Sequence, residues 1–278
     1  MRVSVRKLHA AGNTYAIVNS AWTSIDDLAW CARSICRRRL GLDADGLVYL
    51  THQGGARFAL QVRNADGSLS RLNGNALRCA ARYIFEDYRY RAMLLTQNGR
   101  TCPAEVDGDD VAIDLTVDSL GRVGPRDAGH RSCQAAIGDA LWTVVWTPGE
   151  QPQERDLSTG TTEHGEAEAN TCWVAASCGR LTVATVERGV VGQSGSSATG
   201  AVAAVAVGPA FGHRLPDRVR VVSPGGELVV HRHSTGARFR VEGRVEHILV
   251  GDYDLPALRS DGAPAGRDTD PGGVLTGS

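Results

Sequence analysis

The chain has 278 residues, and its 30 basic and 31 acidic residues give a formal net charge of -1. This balance excludes an electrostatic argument for binding nucleic acid or a membrane surface. No apolar run reaches the roughly 20 residues that would span a bilayer. The segment Met1–Lys7 has the alternation of a strand and lacks the apolar core of a secretion signal, so a cytoplasmic protein is expected.

Short segments rich in Val, Ile, Leu or Trp and bounded by Gly, Pro, Asp or Asn dominate the chain. This pattern is typical of β-strands. In chain order, the predicted strands are Val3–Val5, Tyr15–Val18, Leu47–Leu50, Arg57–Arg63, Ala112–Leu115, Trp142–Trp146, Cys172–Ala176, Leu181–Val186, Arg218–Val222, Glu227–His231 and Ala237–Val241.

Helical signals are fewer. Ile25–Arg38 places apolar residues at helical spacing after a cap at Thr23 or Ser24. Asn75–Tyr88 is apolar on nearly all sides at its start, and Thr199–Val207 consists entirely of small and apolar residues. Because helices that are apolar on every face are buried, these two predict an α+β fold with a mostly antiparallel sheet around each helix.

Two stretches of the chain look like one structural unit built twice. In both, an extended segment leads through a Gly/Ser/Asn-rich turn into a helix of small residues. Asn64 corresponds to Glu187 and Asn73 to Ser197, at offsets of 123 and 124 residues. An offset close to half the chain predicts two related halves that face each other.

Two segments outside these units lack a regular strand or helix pattern. Gly121–Asn170 is less regular and is predicted to carry the crossover between the halves. The last residues are rich in Gly, Pro, Asp and Ser without periodicity, which is typical of a disordered tail. The predicted organisation is an N-terminal lobe at 1–117, a C-terminal lobe at 118–258 and a disordered tail at 259–278.

The repeated unit resembles the two active-site loops of the diaminopimelate epimerase family. Asn64–Cys79, with Asn-Ala-Asp-Gly-Ser and Gly-Asn-x-x-Arg-Cys, resembles the first loop, and Glu187–Ala201 resembles the second. Three further motifs match in order: Lys7–Asn13, Gly41–Leu47 and Pro224–Leu228. The resemblance implies two pseudo-symmetric lobes, each a curled sheet around a central buried helix.

In that family each loop presents one cysteine, and the two thiols remove and return the proton of the substrate α-carbon without a cofactor. The matching positions here are Asn73 and Ser197. An amide cannot act as a base in water, and a serine hydroxyl is too weakly acidic to do so unaided. The resemblance therefore implies the fold and the lack of a cofactor, whereas two-thiol chemistry is excluded.

The residues that follow Asn73 and Ser197 are candidates for binding a carboxylate. Gly74-Asn75 and Ala198-Thr199 begin helices, whose free N–H groups and dipoles attract an anion. The resemblance implies that these positions hold the substrate α-carboxylate, although Asn75 and Thr199 can equally act as helix caps. It also implies that the other end of the substrate is bound by Asn13, Asn64, Asn170, Glu187 and Arg188.

Departures from the family argue against diaminopimelate as the substrate. Asn170 is followed by Thr171-Cys172 instead of proline and histidine, and a later insertion with another substrate-binding asparagine is absent. Ala76 and Ala198 stand where the two turns of the family have glycine, and their methyl groups would crowd the pocket.

Several residues are candidates for the acid or base. Glu187 is preferred, with Asp45 and His9 as alternatives, because a branch of the superfamily that resembles the phenazine-biosynthesis isomerases uses a carboxylate. Cys79 is interpreted as a core residue, and Cys172 lies on a predicted strand without an evident activating neighbour. Racemisation by one of these thiols is a third alternative.

The cysteines and histidines offer no metal or disulfide pattern. Seven cysteines, an odd number, are scattered without CxxC pairs, and the eight histidines are equally dispersed. This argues against a zinc cluster or a disulfide framework, so no metal and no cofactor are expected.

The sequence favours a cofactor-independent isomerase-type enzyme acting on a small amino-acid-like carboxylate by isomerisation, cyclisation or elimination. Asn73, Ser197 and Glu187 are its predicted catalytic residues. The alternative is a non-catalytic relative that binds a small carboxylate, for which the retained asparagines suffice. A homodimer is a further expectation from the resemblance.

Overall fold

The computed structural model describes residues 1–125, 130–147, 170–177, 179–187, 193–234 and 236–256. The predicted tail 259–278 and Arg188 lie outside these ranges. Within them, no helix has both the length and the apolar character needed to cross a membrane.

The described residues form short strands with three α-helices between them. The helices are α1 (Leu28–Ile35), α2 (Gly74–Tyr88) and α3 (Ala198–Val207). The strands are β1 (Arg2–Ala10), β2 (Asn13–Asn19), β3 (Gly46–His52), β4 (Arg57–Asn64), β5 (Ala92–Gln97), β6 (Arg100–Asp107), β7 (Asp110–Thr116), β8 (Ser119–Leu120), β9 (Gly124–Pro125), β10 (Arg131–Ile137), β11 (Ala140–Trp146), β12 (Asn170–Ser177), β13 (Arg180–Val186), β14 (Gln193–Ser194), β15 (Arg218–Ser223), β16 (Gly226–Arg232) and β17 (Arg238–Asp254).

The first lobe is a closed barrel of eight strands. Strands β1 to β7 pair in chain order, and β17 closes the ring by pairing with both β7 and β1. The pairs β2–β3 and β4–β5 are parallel, and the other pairs are antiparallel. Helix α2 contacts most of these strands and fills the barrel.

The second lobe has a similar alternation of antiparallel and parallel strand pairs. Strands β10 and β11 pair antiparallel, β11–β12 and β13–β15 are parallel, and β12–β13, β15–β16 and β16–β17 are antiparallel. Helix α3 packs inside this sheet. The predicted fold, two pseudo-symmetric lobes with a buried central helix in each, is therefore confirmed.

Strand β17 belongs to both lobes. Its first part, Arg238–Arg244, pairs with β7 on one side and partly with β16 on the other, and Val245–Asp254 pairs with β1. The last strand of the chain thus returns to the N-terminal lobe and ties the two lobes together. The boundary between 117 and 118 stays a prediction.

The two central helices are buried as their composition predicts. Every residue of α3 is buried, and α2 is buried from Gly74 to Ile84. Helix α3 is apolar on every face, as expected for a helix that is covered on all sides, whereas α2 also carries the buried Arg78 and Arg82 and is less buried after Ile84. They therefore depend on the surrounding sheets for stability, and their N-terminal ends are held in fixed positions.

Several predicted elements differ from the structure. Helix α1 is shorter than Ile25–Arg38, because Asp27, rather than Thr23 or Ser24, accepts a hydrogen bond from the backbone N–H of Trp30 at 2.8 Å and so caps the helix.

Strand prediction also missed β5, β6 and β10, which contain threonine, glutamine, proline or charged residues besides their buried apolar positions. The last predicted strand, Ala237–Val241, is the start of a much longer one. Its second half is largely exposed and contains the short apolar run Ile248-Leu249-Val250, which the strand prediction did not assign.

Candidate active site

The start of α2 is capped by Asn73. Its backbone is extended (φ −121°, ψ 98°), and its side-chain oxygen accepts a hydrogen bond from the N–H of Ala76 at 3.0 Å. The hydroxyl of Tyr15 donates to the same oxygen, also at 3.0 Å. The backbone N–H of Asn73 donates to Oε1 of the fully buried Gln97 at 3.0 Å. Asn73 is therefore held from three directions.

The start of α3 has the same construction with Ser197 as the cap. Ser197 is extended (φ −141°, ψ 122°), and its Oγ accepts a hydrogen bond from the N–H of Gly200 at 3.2 Å. That hydroxyl lies 3.2 Å from Oε2 of Glu187, to which it donates. The residues predicted from the repeat thus occupy equivalent positions, each with a different side-chain partner.

The two helix starts lie directly against each other. A Cβ placed on Gly74 would come within 2.7 Å of the Cβ of Ala198. No described residue accepts a hydrogen bond from the backbone N–H groups of Gly74, Asn75, Ala198 or Thr199. Two sets of free N–H donors and two helix dipoles therefore converge, which favours an anion.

Two asparagines of the first lobe hold the loop that precedes α3. The Nδ2 of Asn75 donates to the carbonyl of Ser196 at 3.0 Å and lies 3.2 Å from its hydroxyl. The Nδ2 of Asn13 donates to the same carbonyl at 2.8 Å and to Oγ of Ser194 at 3.1 Å. Both amides thus join the lobes, and their contact with a substrate stays a prediction.

A turn of the second lobe holds the first loop in return. Asp139, between β10 and β11, accepts hydrogen bonds from the N–H of Leu72 at 2.7 Å and from Nδ2 of Asn98 at 3.0 Å. Arg71 donates to the carbonyl of Asp139 at 2.8 Å. Because Leu72 directly precedes Asn73, each lobe positions the loop of the other.

Glu187 is partly buried, and its environment suits proton transfer near neutral pH. Burial raises the pKa of its carboxyl group to about 7, because the charged form loses its hydration. Hydrogen bonds from Ser194 and Ser197 oppose this rise, and the negative charge of Asp45 adds to it. A carboxyl group with this pKa exchanges protons readily at physiological pH.

Tyr15 lies on the side of Asn73 and cannot ionise at ordinary pH. Burial raises the pKa of Tyr15 well above its usual value, and the negative charge of Glu187 raises it further. Its hydroxyl therefore remains a hydrogen-bond donor to Asn73. This residue was not predicted, because its position within a strand gave no chemical signal.

The two alternative acid–base residues have other partners. Asp45 accepts hydrogen bonds from the N–H of Thr14 at 2.7 Å and from its hydroxyl at 3.1 Å. His9 lies with Nε2 3.1 Å from Oε2 of Glu246, across β1 and β17. Neither forms a hydrogen bond with Asn73 or Ser197, whereas Glu187 accepts one from Ser197.

The remaining predicted residues are less closely connected to the helix starts. Asn64, at the end of β4, donates from Nδ2 to Oγ of Ser68 at 2.9 Å within its own turn. Asn170 begins β12, is buried, and pairs in register with Trp142 of β11. Arg188 lies outside the described residues. Their predicted roles in substrate binding stay predictions.

The buried thiols near the site are poor candidates for catalysis. Cys79 and Cys172 are both fully buried. Burial raises the pKa of Cys79 to about 12 and also raises that of Cys172. The Sγ of Cys172 lies 3.8 Å from the carbonyl of Gly200. Neither environment stabilises the thiolate that racemisation requires.

Three polar residues of the site escaped sequence reasoning besides Tyr15. Ser194 and Ser196 receive the interlobe hydrogen bonds, yet in the sequence they are only part of a Gly/Ser-rich turn. Arg78 lies one turn into α2, fully buried, and donates to Oδ1 of Asn75 at 2.7 Å. The arginine of the Gly-Asn-x-x-Arg-Cys motif was the available signal.

Elsewhere in the described ranges, no three His, Cys, Asp or Glu side chains come together as metal ligands would. A surface cavity of about 380 Å³ lies on the first barrel, away from the helix starts. It is lined by Ala56, Arg57, Ala92, Met93, Leu94, Pro103, Ala104, Glu105 and Arg240. Since no helix-start residue contributes to this lining, the cavity is separate from the candidate site.

Comparison with known proteins agrees with this architecture. The sequence profile described as diaminopimelate epimerase matches residues 5–120. The diaminopimelate epimerase of Desulforudis audaxviator is 31% identical over 277 residues, which cover 89% of this chain and 98% of that protein.

Two solved structures share the fold at low sequence identity. The hydroxyproline epimerase of Agrobacterium vitis, with bound trans-4-hydroxy-L-proline, has a TM-score of 0.66 at 15% identity, covering 91% of each chain. A methylitaconate-delta-isomerase has a TM-score of 0.58 at 12% identity, covering 91% of this chain and 95% of its own.

Proposed function

The chain belongs to the diaminopimelate epimerase family and is an isomerase-like enzyme, and from that premise we propose that it moves a proton on one face of a small carboxylate substrate. Glu187 is the group that carries the proton. The chemistry needs neither a thiol nor a cofactor. The observation that carries this proposal is the hydrogen bond between Glu187 and Ser197 at the start of α3. The pKa of Glu187, which burial raises to about 7, supports it.

The free N–H groups of Gly74, Asn75, Ala198 and Thr199 would hold the carboxylate of the substrate. They converge because Gly74 and Ala198 are in contact. An anion bound there would place its neighbouring carbon between the cap residues Asn73 and Ser197. Helix N-termini bind carboxylates in this manner because their N–H groups lack acceptors within the helix.

Among the described residues, only the side of Ser197 holds a group able to exchange protons at neutral pH. Glu187 lies on the side of Ser197, whereas the side of Asn73 has an amide supported by the hydroxyl of Tyr15. Inversion of a carbon centre by the two-base route needs an acid or base on both faces. The asymmetry therefore supports removal and return of the proton on the same face.

The proposed step is redox-neutral. The carboxylate of Glu187 takes a proton from the carbon next to the bound carboxylate, and the C–H electron pair moves into an enolate. The N–H donors and the amide of Asn73 stabilise the negative charge that develops on oxygen. With a β,γ-unsaturated substrate, protonated Glu187 then returns the proton to the γ-carbon of the dienolate. With a leaving group on the β-carbon, that group departs with its bonding electron pair, and Glu187 releases the proton to the leaving group or to water. The first outcome is an isomerisation, and the second is an elimination.

The substrate is proposed to be a small amino-acid-like or unsaturated acid. The methyl group of Ala198 lies between the helix starts, and Thr171-Cys172 replaces the family's proline and histidine after Asn170. Both differences favour a substrate other than diaminopimelate. The cytoplasmic location and the homodimer expected from the sequence remain part of this proposal.

Proton NMR in deuterium oxide tests the proposed chemistry. The protein is incubated with L-amino acids, diaminopimelate isomers, keto-acids and β,γ-unsaturated carboxylates, and signals of protons next to the carboxylate are followed. We expect loss of such a signal, or its transfer to a new position, with one class of substrate. The same reaction should be absent with Glu187→Gln. Equal turnover by that variant would contradict the assignment, and silence across the panel with retained binding would favour a non-catalytic binder.

A further inference from the structure

Arg78 is a buried cation that no carboxylate among the described residues contacts. It is fully buried in α2, and its Nη2 donates to Oδ1 of Asn75 at 2.7 Å. Its Nε and Nη1 have no partner among the described residues, and none of the ion pairs found there includes it. Burial lowers the pKa of Arg78 to about 10, which still leaves it charged at neutral pH.

An unpaired buried charge is costly, so its position calls for an explanation. Arg78 lies one helical turn behind Asn75, whose backbone N–H is one of the free donors at the start of α2. The side chain of Asn75 bridges from Arg78 to the carbonyl of Ser196, next to the start of α3. The charge therefore contacts the start of α2 directly and is linked to the loop before α3 through the amide of Asn75.

We propose that Arg78 supplies the full positive charge that a bound substrate carboxylate neutralises, and so sets the affinity of the site for an anion. This inference rests on the proposed carboxylate site. A helix N-terminus carries only about half a unit charge, and it is effective within one turn. A full charge in the poorly screened interior adds to it without needing direct contact with the ligand. Arg78 thus acts on binding, while Glu187 transfers the proton.

Arg82 is a matched control on the same helix. It is also buried, and one nitrogen of its guanidinium is likewise without a partner. However, its Nη2 donates to the carbonyl of Gly108 at 2.8 Å, in the turn between β6 and β7. Arg82 lies one further turn from the helix start. Removing its charge therefore measures the effect of losing a buried arginine of α2 that does not contact the proposed carboxylate site.

Isothermal titration calorimetry with acetate, pyruvate and L-alanine tests the proposal without turnover. The variants are Arg78→Gln, which can keep a hydrogen bond to Asn75 without the charge, Arg78→Lys, which keeps the charge, and Arg82→Gln. We expect Arg78→Gln to bind at least tenfold more weakly than the wild type. Arg78→Lys and Arg82→Gln should stay within about threefold.

Folding is checked by circular dichroism. If Arg78→Gln does not fold, the affinity of Arg78→Lys provides the test. Wild-type affinity in Arg78→Gln, or a tenfold loss in Arg78→Lys, would overturn the role of the charge. Failure of the wild-type protein to bind any of the three carboxylates would overturn the anion site itself and this inference with it.

Discussion

Gly74 and Ala198 are packed so closely that a Cβ on Gly74 would lie 2.7 Å from the Cβ of Ala198. The contact joins the first residues of α2 and α3, which belong to different lobes. The spacing of the helix starts, and hence of their N–H donors, is therefore set by one glycine and one methyl group. The resemblance of the loop sequences implies a glycine at the position of Ala198, so we expect this spacing to distinguish the chain from its relatives.

Gly74→Ala is expected to destabilise the protein by about 1 to 3 kcal/mol, because the added methyl group overlaps Ala198. In an Ala198→Gly background the same substitution should cost less. Part of the cost remains, since Cδ1 of Ile113 also lies 3.1 Å from the added atom. Urea denaturation of the single and double variants measures the coupling. Strictly additive effects would show that the helix starts are not in contact.

The free energy of unfolding is expected to depend on pH through Glu187. Its pKa is about 7 in the folded protein and is raised above the ordinary 4.5, so the folded protein binds this proton more tightly than the unfolded chain. Stability is therefore lost as pH rises from 4.5 through 7. Glu187→Gln should increase the free energy of unfolding at pH 8 by up to about 3 kcal/mol and have little effect at pH 4.

Denaturation curves of wild type and Glu187→Gln at pH 4, 6 and 8 provide the measurement. A difference that stays constant with pH would mean that Glu187 titrates at its ordinary value. The ionisation of the same carboxyl group should determine the pH dependence of the rate. We expect kcat/KM to rise with pH around an apparent pKa of about 7, because the ionised form is the base.

The cap residues are expected to be required for turnover and only moderately for stability. Ser197→Ala removes the acceptor for Gly200 and the donor to Glu187, at a cost of about 1 kcal/mol. Ser197→Gly is the better comparison, because glycine is tolerated at a cap. Both variants and Asn73→Ala should fold by circular dichroism and lose activity. Unchanged activity in Ser197→Gly and Asn73→Ala would remove these residues from the mechanism.

Tyr15 is expected to act by fixing the amide of Asn73. Tyr15→Phe removes one hydrogen bond and should cost about 1 kcal/mol of stability and roughly tenfold in kcat. Tyr83→Phe is a matched control, because Tyr83 is buried and lies 3.4 Å from Nδ2 of Asn19 in the same barrel. The Tyr83→Phe variant should lose a similar amount of stability without losing turnover. Equal kcat values for the two variants would assign Tyr15 a purely structural role.

Thiol reagents are expected to leave activity intact. The free cysteines at positions 31, 36, 79, 102, 133 and 172 are all buried, and burial raises the pKa of Cys79 to about 12. Iodoacetamide reacts with thiolates, so these residues should alkylate slowly in the native protein. Cys178 lies outside the described residues, and the test therefore uses Cys178→Ser. Rapid inactivation of that variant would revive racemisation through a buried thiol.

Sequence reasoning predicted the parts of the fold that carry strong local signals. The repeated loop and helix, marked by Asn73 and Ser197, were predicted because turn chemistry and apolar composition are local. The caps were misplaced by two residues: Asn75 and Thr199 were the expected caps, whereas Asn73 and Ser197 cap the helices. Strands such as β6 and the second half of β17 were missed, because pairing with distant strands stabilises them and their own residues are polar or exposed.

The hydrogen bonds between the two lobes at the site cannot be predicted from the sequence alone. Asn13 and Asn75 were predicted as substrate-binding residues, and the structure finds their amides bonded to Ser194 and Ser196 across the lobes. Such partners lie more than 120 residues apart in the chain, at separations of 181 and 121 for two of these bonds. Their contact depends on how the two lobes meet, which no local pattern encodes.

Single-face proton transfer can be followed by an isotope label once the exchange panel has identified a substrate. The substrate is labelled with deuterium at the carbon that loses its proton, and the product formed in ordinary water is examined by NMR and mass spectrometry. Because Glu187 removes and returns the proton, part of the deuterium should reappear in the product on the same face. Complete loss of the label together with an inverted carbon centre would contradict a single base and require a second acid on the side of Asn73.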